Sequence, residues 1–400
     1  MVRLHAFRRT STTSITPRRQ DRTEVILHAW ADMLVETQGG IDLGNQAPLA
    51  GTYAGADPNG LLWSGWPQGD ERLGAAGALE VDAEVLGDNA TLLIVPEVDG
   101  RLLPRQRVSL QPYSDRIAFR ELSVAHDGVS GVFAAPEDGR PRPAVIWLHG
   151  SEGGSMEQAT LRAGILAQRG LAVLALNYVA YSWSAGIEGV APALANIPVE
   201  LLGKARDWLV DRPEVLPTRV SLYGASKGAE LALVAATRLP WVRSVVACVP
   251  SDVVWAGFGR PAAPGERLSS WSWQGQPLPF IAYDRYEDVF TGAASAREVH
   301  VRSRALASPE QQAAARIAVE QVRAPVLLIG AGKDQVWPSG EMAVALASSL
   351  GAITGNARAE IMLFPDASHD ICGSGSAPKR ADGEAARPMR WRAERRSAGR

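Results

Sequence analysis

The sequence has few cysteines, no long apolar run and almost no net charge. Its two cysteines give no disulfide framework and no cysteine-rich metal site, and such a low number favours a reducing compartment. No run approaches the roughly 20 apolar residues that a membrane-spanning helix needs. A formal net charge of −2 provides no overall attraction for nucleic acid or for an anionic membrane surface. We therefore predict a cytoplasmic globular protein without a membrane span, a nucleic-acid partner, a metal or an organic cofactor.

The 400 residues, 46% of them apolar, exceed one average domain and predict two. Residues 1–21 are rich in Arg, Ser and Thr and contain one acidic residue, which predicts a disordered or wrongly assigned start of the chain. Residues 22–115 contain short alternating runs separated by Gly, Pro, Asn and Asp. Such runs favour a small all-β sandwich over helices.

A different pattern begins near residue 116 and extends to residue 375. After a hairpin at 117–136, strand-like apolar runs alternate with helical windows, which indicates an α/β domain with a parallel-rich sheet covered on both faces. The strands are predicted at 144–148, 171–177, 219–223, 244–249, 325–329 and 360–364, and the helices at 158–169, 199–210, 227–239 and 340–350. Residues 376–400 form a basic tail. The active site is expected at the carboxyl ends of the strands.

An insertion of residues 251–322 interrupts this alternation. It is too long for a plain loop, and we interpret it as a lid over the site. Ser308, followed by Pro309 and then Gln311, is a strong helix start and predicts a helix over 309–321. The aromatic residues of the insertion are expected either to line an apolar pocket or to anchor the insertion to the core. They are Trp255, Phe258, Trp271, Trp273 and Phe280.

The segment Gly224-Ala225-Ser226-Lys227-Gly228 lies between a predicted strand and a predicted helix. A strand, a tight turn carrying a serine and a helix are the layout of a nucleophile elbow. The two glycines suit this turn because the backbone leaves no room for side chains beside the serine. The five-residue pattern alone is weak evidence, since the chain contains 39 glycines.

A nucleophilic serine needs a base, and the base needs an orienting acid. Asp334 follows the predicted strand 325–329, and His369 follows the strand 360–364, in the order Ser, Asp, His that is typical of an α/β-hydrolase. Asp366 and Asp370 compete for the role of the acid. Sequence neighbours of a histidine are rarely oriented toward its Nδ1 atom, so Asp334 is preferred. We predict Ser226, Asp334 and His369 as the catalytic residues.

The oxyanion hole is predicted from two backbone N–H groups. One belongs to Lys227, which follows the nucleophile, and the other to a residue in the glycine-rich loop after the strand 144–148. Ser151 is the predicted second donor. This loop lacks the spacing of a phosphate-binding loop. His149 is expected to shape the loop, because His369 already supplies the base.

With these residues in order, the chain resembles the acyl-CoA thioesterase and bile acid-CoA:amino acid N-acyltransferase family. The segments that carry the resemblance are IDLGNQAPLAGTYAGADPNGLLWS, YGASKGAELAL, SSWSWQGQPLPF and APVLLIGAGKDQVWPS. The family combines an N-terminal β-sandwich with a C-terminal α/β-hydrolase domain, and Ser226, Asp334 and His369 match its triad. Members with a serine nucleophile are thioester hydrolases, whereas the amino-acid transferase uses cysteine. The resemblance therefore implies hydrolysis of an acyl-CoA through an acyl-enzyme intermediate.

Several alternatives stay open at this point. An acyl-CoA:amino acid N-acyltransferase, a general carboxylesterase or peptidase, and a binding module that has kept the fold are all compatible with the same architecture. Lys227, Lys333 and the arginines of the insertion are candidates for contacts with CoA. The acyl chain and the oligomeric state do not follow from the sequence.

Overall fold

The computed structural model describes residues 1–16, 19–35, 41, 46–51, 61, 66–67, 91–109, 113–181, 186–258, 267–351, 359–372 and 389–391. The chain divides into two compact units. The N-terminal unit comprises residues 1–111 with 379–386, and the C-terminal unit comprises residues 112–378 with 387–400.

The described part of the N-terminal unit is an antiparallel sheet in the order β3-β2-β1-β5-β6, with β4 paired to β2 and β7 paired to β5. Its strands are β1 (Val2–Thr16), β2 (Arg19–Met33), β3 (Ala50–Gly51), β4 (Trp66–Pro67), β5 (Thr91–Val98), β6 (Arg101–Leu102) and β7 (Gln106–Ser109). The prediction of an all-β region before the α/β domain is confirmed. Residues 68–90, which were expected to add to it, lie outside the described residues.

The structure differs from the expectation that residues 1–21 are disordered. They include β1, which pairs with β2 on one side and with β5 on the other. As an inner strand, β1 buries the side chains of both faces, and Leu4, His5 and Phe7 are all buried. The arginine content misled the prediction because Arg3 is not merely a solvated charge: its Nε lies 2.7 Å from Oδ1 of Asp32 in the paired strand.

The C-terminal unit is built on a nine-stranded sheet in the order β19-β18-β17-β14-β13-β10-β11-β9-β8. The strands are β8 (Ile117–Leu122), β9 (Gly131–Pro136), β10 (Arg142–Leu148), β11 (Ala172–Leu176), β13 (Val215–Ala225), β14 (Val245–Cys248), β17 (Val326–Ala331), β18 (Ala359–Phe364) and β19 (Met389–Trp391). Neighbouring strands from β11 to β18 run parallel. β8, β9 and β19 are antiparallel to their neighbours. The predicted basic tail thus contributes β19, which lies beside β18.

Helices cover both faces of this sheet. They are α1 (Val124–Asp127), α2 (Met156–Ala167), α3 (Leu201–Val210), α4 (Lys227–Ala236), α5 (Glu287–Thr291), α6 (Ala296–Leu306), α7 (Pro309–Ala315) and α8 (Ser339–Gly351), with 3₁₀ turns at Val319–Gln321 and His369–Cys372. In β10, Ile146 faces a cluster that includes α3 and α4, whereas Trp147 faces one that includes α2. The α/β fold with a parallel-rich sheet is confirmed. In the described part of the chain no helix is long and apolar enough to cross a membrane.

Two strands of the insertion, β15 (Trp271–Trp273) and β16 (Gln276–Pro277), form a small sheet with β12 (Ile197–Pro198), which precedes the insertion in the chain. The predicted capping box at Ser308 is present, with the Gln311 N–H 3.2 Å from Ser308 Oγ. The helix ends at Ala315 and not at residue 321. The residues after Ala315 instead pair with the start of the insertion: Arg316 bridges to Val253, and the Ile317 N–H donates to Asp252 O at 2.9 Å.

β14 ends at Cys248, which is fully buried as the apolar run predicted. Cys248 is disulfide-bonded, a bond that the low cysteine content did not indicate. Its carbonyl oxygen accepts a hydrogen bond from the Ser226 N–H at 2.9 Å. This hydrogen bond holds the turn that carries Ser226 against the end of the neighbouring strand β14.

Candidate active site

Ser226 occupies a sharp turn between β13 and α4. Its backbone has φ 56° and ψ −123°, an unfavourable conformation for a residue with a side chain. A Cβ on Gly224 would lie 2.0 Å from Gly228 O, and one on Gly228 would lie 2.2 Å from Leu148 O. The prediction that both glycines are needed for close packing of the turn is confirmed. The turn raises the serine above the end of the sheet, and its side chain reaches His369.

The three residues predicted as catalytic form one hydrogen-bonded series. His369 Nε2 lies 2.9 Å from Ser226 Oγ, and His369 Nδ1 lies 2.8 Å from Asp334 Oδ2. Because a carboxylate only accepts, the proton of the neutral imidazole is on Nδ1. Nε2 is then free to accept the hydroxyl proton of Ser226. This is the arrangement in which a histidine can act as a base toward a serine.

Asp334 is fully buried and heavily hydrogen-bonded. Its Oδ1 accepts from the N–H groups of Val336 (2.8 Å) and Trp337 (3.2 Å), and its Oδ2 accepts from Ser339 Oγ at 2.5 Å. Burial alone raises the pKa of this carboxyl. The hydrogen bonds from His369, Ser339 and Val336, together with the charge that His369 carries when protonated, outweigh burial, so the pKa lies below the ordinary value. Asp334 is therefore an ionised carboxylate at neutral pH, suited to hold His369 in one tautomer.

Asp366, one of the two competing acids, does not occupy this position. Asp366 Oδ1 lies 3.2 Å from Lys333 Nζ in an exposed ion pair. The side chain of Asp370 lies outside the described residues. Trp337, which the sequence analysis missed, packs edge-on against the His369 ring with centroids 5.4 Å apart and donates its indole N–H to Val249 O at 3.1 Å. Trp337 lies in the segment APVLLIGAGKDQVWPS, which carries the family resemblance, but nothing in that segment indicated a contact with His369.

The predicted oxyanion donors come from two elements next to the serine. Lys227 is the first residue of α4, so its N–H has no partner within the helix. Ser151 lies in the loop after β10. The residue before it, Gly150, packs against Ser226, because a Cβ on Gly150 would lie 3.3 Å from Ser226 Cβ. The same position lies 2.4 Å from Glu152 Oε2. Glu152, which sequence reasoning also missed, accepts the Gly150 N–H at 2.9 Å through Oε1.

The Lys227 side chain is buried and therefore not exposed for a contact with CoA, which corrects that expectation. It is buried and donates to both carboxylate oxygens of Glu230 at 2.8 and 2.9 Å. Burial lowers the pKa of Lys227 and raises that of Glu230, and each charge opposes the shift of its partner. Glu230 also accepts the indole N–H of Trp271 at 2.7 Å and the backbone N–H of Trp255 at 3.2 Å. The pair thus joins the elbow helix to the insertion.

The aromatic residues of the insertion serve different purposes. Trp255 and Trp271 are fully buried, so they anchor the insertion and do not line an open pocket. Phe280 lies on a cavity of about 610 Å³ together with Leu278 and Ile281. Both expected roles therefore occur among the aromatic residues of the insertion: Trp255 and Trp271 anchor it, and Phe280 lines a cavity.

The sheet order, the elbow and the hydrogen-bonded serine, histidine and aspartate define the fold as that of an α/β-hydrolase. Two family models match the chain. "Acyl-CoA thioester hydrolase/BAAT N-terminal region" matches residues 1–86, and "BAAT / Acyl-CoA thioester hydrolase C terminal" matches residues 197–373. The chain carries both regions of this acyl-CoA thioester hydrolase/BAAT family, and the resemblance predicted from the sequence is confirmed.

Curated relatives agree with this family. The chain is 28% identical to human acyl-coenzyme A thioesterase 1 over 88% of its own length and 77% of the relative. It is 26% identical to the mouse peroxisomal succinyl-coenzyme A thioesterase, with the same coverage of both chains. A solved structure from Klebsiella pneumoniae, provisionally named a dienelactone hydrolase, is similar with 17% identity and a TM-score of 0.41, covering 67% of this chain and 93% of that one.

Proposed function

We propose that the protein hydrolyses acyl-CoA thioesters with Ser226 as the nucleophile, His369 as the base and Asp334 as the orienting acid. The observation that carries the proposal is the unbroken series of hydrogen bonds from Ser226 Oγ through His369 to Asp334. The relatives named as acyl-CoA thioesterases supply the substrate class.

The reaction would proceed in two steps. Ser226 Oγ attacks the thioester carbonyl while His369 Nε2 takes its proton, and the tetrahedral oxyanion is held by the N–H groups of Lys227 and Ser151. The C–S bond breaks, and the thiolate of CoA leaves with the proton from His369. In the second step His369 takes a proton from water, the hydroxide attacks the acyl ester, and the carboxylic acid leaves as Ser226 regains its proton. Neither step needs a group beyond these residues, the substrate and water.

Asp334 supports both steps without taking the proton itself. Its ionised form keeps the Nδ1 proton of His369 in place and stabilises the imidazolium that forms in each step. Its pKa below the ordinary value is consistent with this role. A carboxyl that became neutral at working pH would lose the stabilisation.

The test is a thiol-release assay with acyl-CoA substrates of increasing chain length, run beside p-nitrophenyl esters, with products identified by mass. We expect release of CoA that depends on chain length, with the free acid as the product. The assay is repeated with glycine or taurine present. Conjugated products would assign the protein to acyl transfer, and cleavage of simple esters without thioesters would assign it to the general esterases; either result would overturn the proposal.

A further inference from the structure

Three consecutive carbonyl oxygens in the loop after β10 each accept a hydrogen bond from an aromatic side chain. Tyr178 Oη donates to His149 O at 2.6 Å, His149 Nδ1 donates to Gly150 O at 2.8 Å, and Tyr181 Oη donates to Ser151 O at 3.0 Å. We call these three side chains, Tyr178, His149 and Tyr181, the carbonyl clamp. All three are buried.

The donors of the carbonyl clamp have fixed protonation. Burial raises the pKa of both tyrosines, so their hydroxyls keep their protons at neutral pH. Burial lowers the pKa of His149, so its imidazole is neutral, and its single proton is on Nδ1 because the partner is a carbonyl. The His149 ring stacks on the Tyr178 ring with centroids 4.0 Å apart and planes 4° from parallel. The donors cannot easily rotate away from their acceptors.

The clamp determines where the N–H groups of the loop point. In a trans peptide the N–H points opposite to the C=O of the same unit, and there are no cis peptide bonds in the described backbone. Since His149 holds Gly150 O, the N–H of Ser151 points away from His149. That N–H has no acceptor among the described residues, whereas the Gly150 N–H is already bound to Glu152.

A glycine-rich loop needs such a restraint. Gly150, Gly153 and Gly154 have wide conformational freedom, and a flip of the peptide between Gly150 and Ser151 would present a carbonyl oxygen where an oxyanion donor is required. We propose that His149 is a positioning residue that holds the Ser151 N–H as an oxyanion donor beside Ser226. Tyr178 braces His149, and Tyr181 restrains the next peptide unit through Ser151 O. The inference rests on the proposed function and adds residues that act through the loop and not on the substrate.

The test compares Tyr181→Phe and His149→Leu with His149→Asn, whose amide nitrogen can replace Nδ1 as the donor. Removal of an oxyanion donor costs roughly 100-fold or more in kcat, and we expect the first two variants to lose about 10- to 100-fold in kcat with KM nearly unchanged. His149→Asn should recover most of the loss. Tyr223→Phe is the matched control, because Tyr223 is a largely buried tyrosine packed near Trp147 on the other face of the sheet, and it should keep full activity.

A second readout separates positioning from general stability. A trifluoromethyl ketone analogue of the acyl-CoA forms a tetrahedral oxyanion with Ser226, so its inhibition constant should rise in step with the loss in kcat/KM. Clamp variants that unfold at the wild-type temperature yet keep wild-type kcat and analogue affinity would overturn the inference. If the inference fails in this way, loss of thiol release in Ser226→Ala would still support the proposed function. Full activity of Ser226→Ala would instead show that the proposed function is wrong.

Discussion

Asp334 Oδ2 and His369 Nδ1 lie 2.8 Å apart although 35 residues separate them in the chain. Each residue follows one of two adjacent parallel strands, β17 and β18, whose last residues, Ala331 and Phe364, are paired in register. The loops that carry Asp334 and His369 therefore begin side by side at the same edge of the sheet. The pairing of the two strands, more than the conformation of the loops, brings these two side chains together.

Replacement of Asp334 by Asn should reduce kcat by about 10⁴-fold, because the amide favours the wrong tautomer of His369. The thiol-release rate under saturating substrate measures this loss. Asp366→Asn is the control, since Asp366 pairs with Lys333 at the surface and its variant should keep its activity. Loss of activity in Asp366→Asn with retention in Asp334→Asn would show that the acid has been assigned to the wrong residue.

Glu230→Gln should destabilise the C-terminal unit by about 3–5 kcal/mol, since it leaves the charge of Lys227 buried without its counter-ion. The amide oxygen can still accept the indole N–H of Trp271, so the variant isolates the charge. The double variant Lys227→Met with Glu230→Leu should recover much of the loss. Chemical denaturation of the three proteins measures these differences. A Glu230→Gln protein as stable as the wild type would contradict a charged pair at this site.

We expect the buried His300 to make the folded protein less stable in mild acid. Its ring packs among Trp255, Tyr283 and Trp337, and burial lowers its pKa from 6.5 to about 4. Between these values the unfolded chain binds the proton more strongly, so stability is present above pH 6.5 and falls as the pH decreases toward 4. The charges of Lys227 and His369 act in the same direction as burial, and that of Asp334 opposes it.

Unfolding temperatures of the wild type and of His300→Phe between pH 7.5 and 5 measure this contribution. We expect a shallower dependence on pH in the variant. Any contribution from His149, which burial also keeps neutral, is present in both proteins and cancels in the comparison. Parallel curves for the two proteins would show that His300 does not titrate in this range.

We expect Glu152 to disfavour substrates whose acyl chain ends in a carboxylate. Its carboxylate and Ser226 Cβ flank the same face of Gly150, so an anionic acyl group near the nucleophile meets a like charge. A repulsion of about 1 kcal/mol at 4 Å in water corresponds to roughly fivefold in kcat/KM. The ratio of kcat/KM for succinyl-CoA to that for butyryl-CoA should rise by about this factor in Glu152→Gln, and less at high salt. An unchanged ratio at low salt would contradict the prediction.

The sequence predicted the parts of the site that follow strand ends. Ser226, Asp334 and His369 could be found because parallel strands end at one edge and the order of the residues is characteristic. Trp337, Glu152 and the carbonyl clamp could not, since their roles depend on contacts that no motif records. Tyr178 and Tyr181, for example, reach back about 30 residues to the loop that they hold.

Two errors of the fold prediction have the same origin. The first strand was missed because its arginines suggested disorder, although Arg3 pairs with Asp32 in β2. The helix at 309–321 was extended too far because local propensity does not record the pairing of Ala315 with Val254. In both cases a partner distant in sequence determined the local structure.

Thiol release by Ser226→Ala measures whether Ser226 is the nucleophile. The variant removes one oxygen atom from a turn whose geometry is maintained by Gly224, Gly228 and the carbonyl of Cys248, so the protein should unfold at the wild-type temperature. We expect turnover of acyl-CoA to fall by three or more orders of magnitude. A folded Ser226→Ala protein that releases CoA at the wild-type rate would show that Ser226 is not the nucleophile.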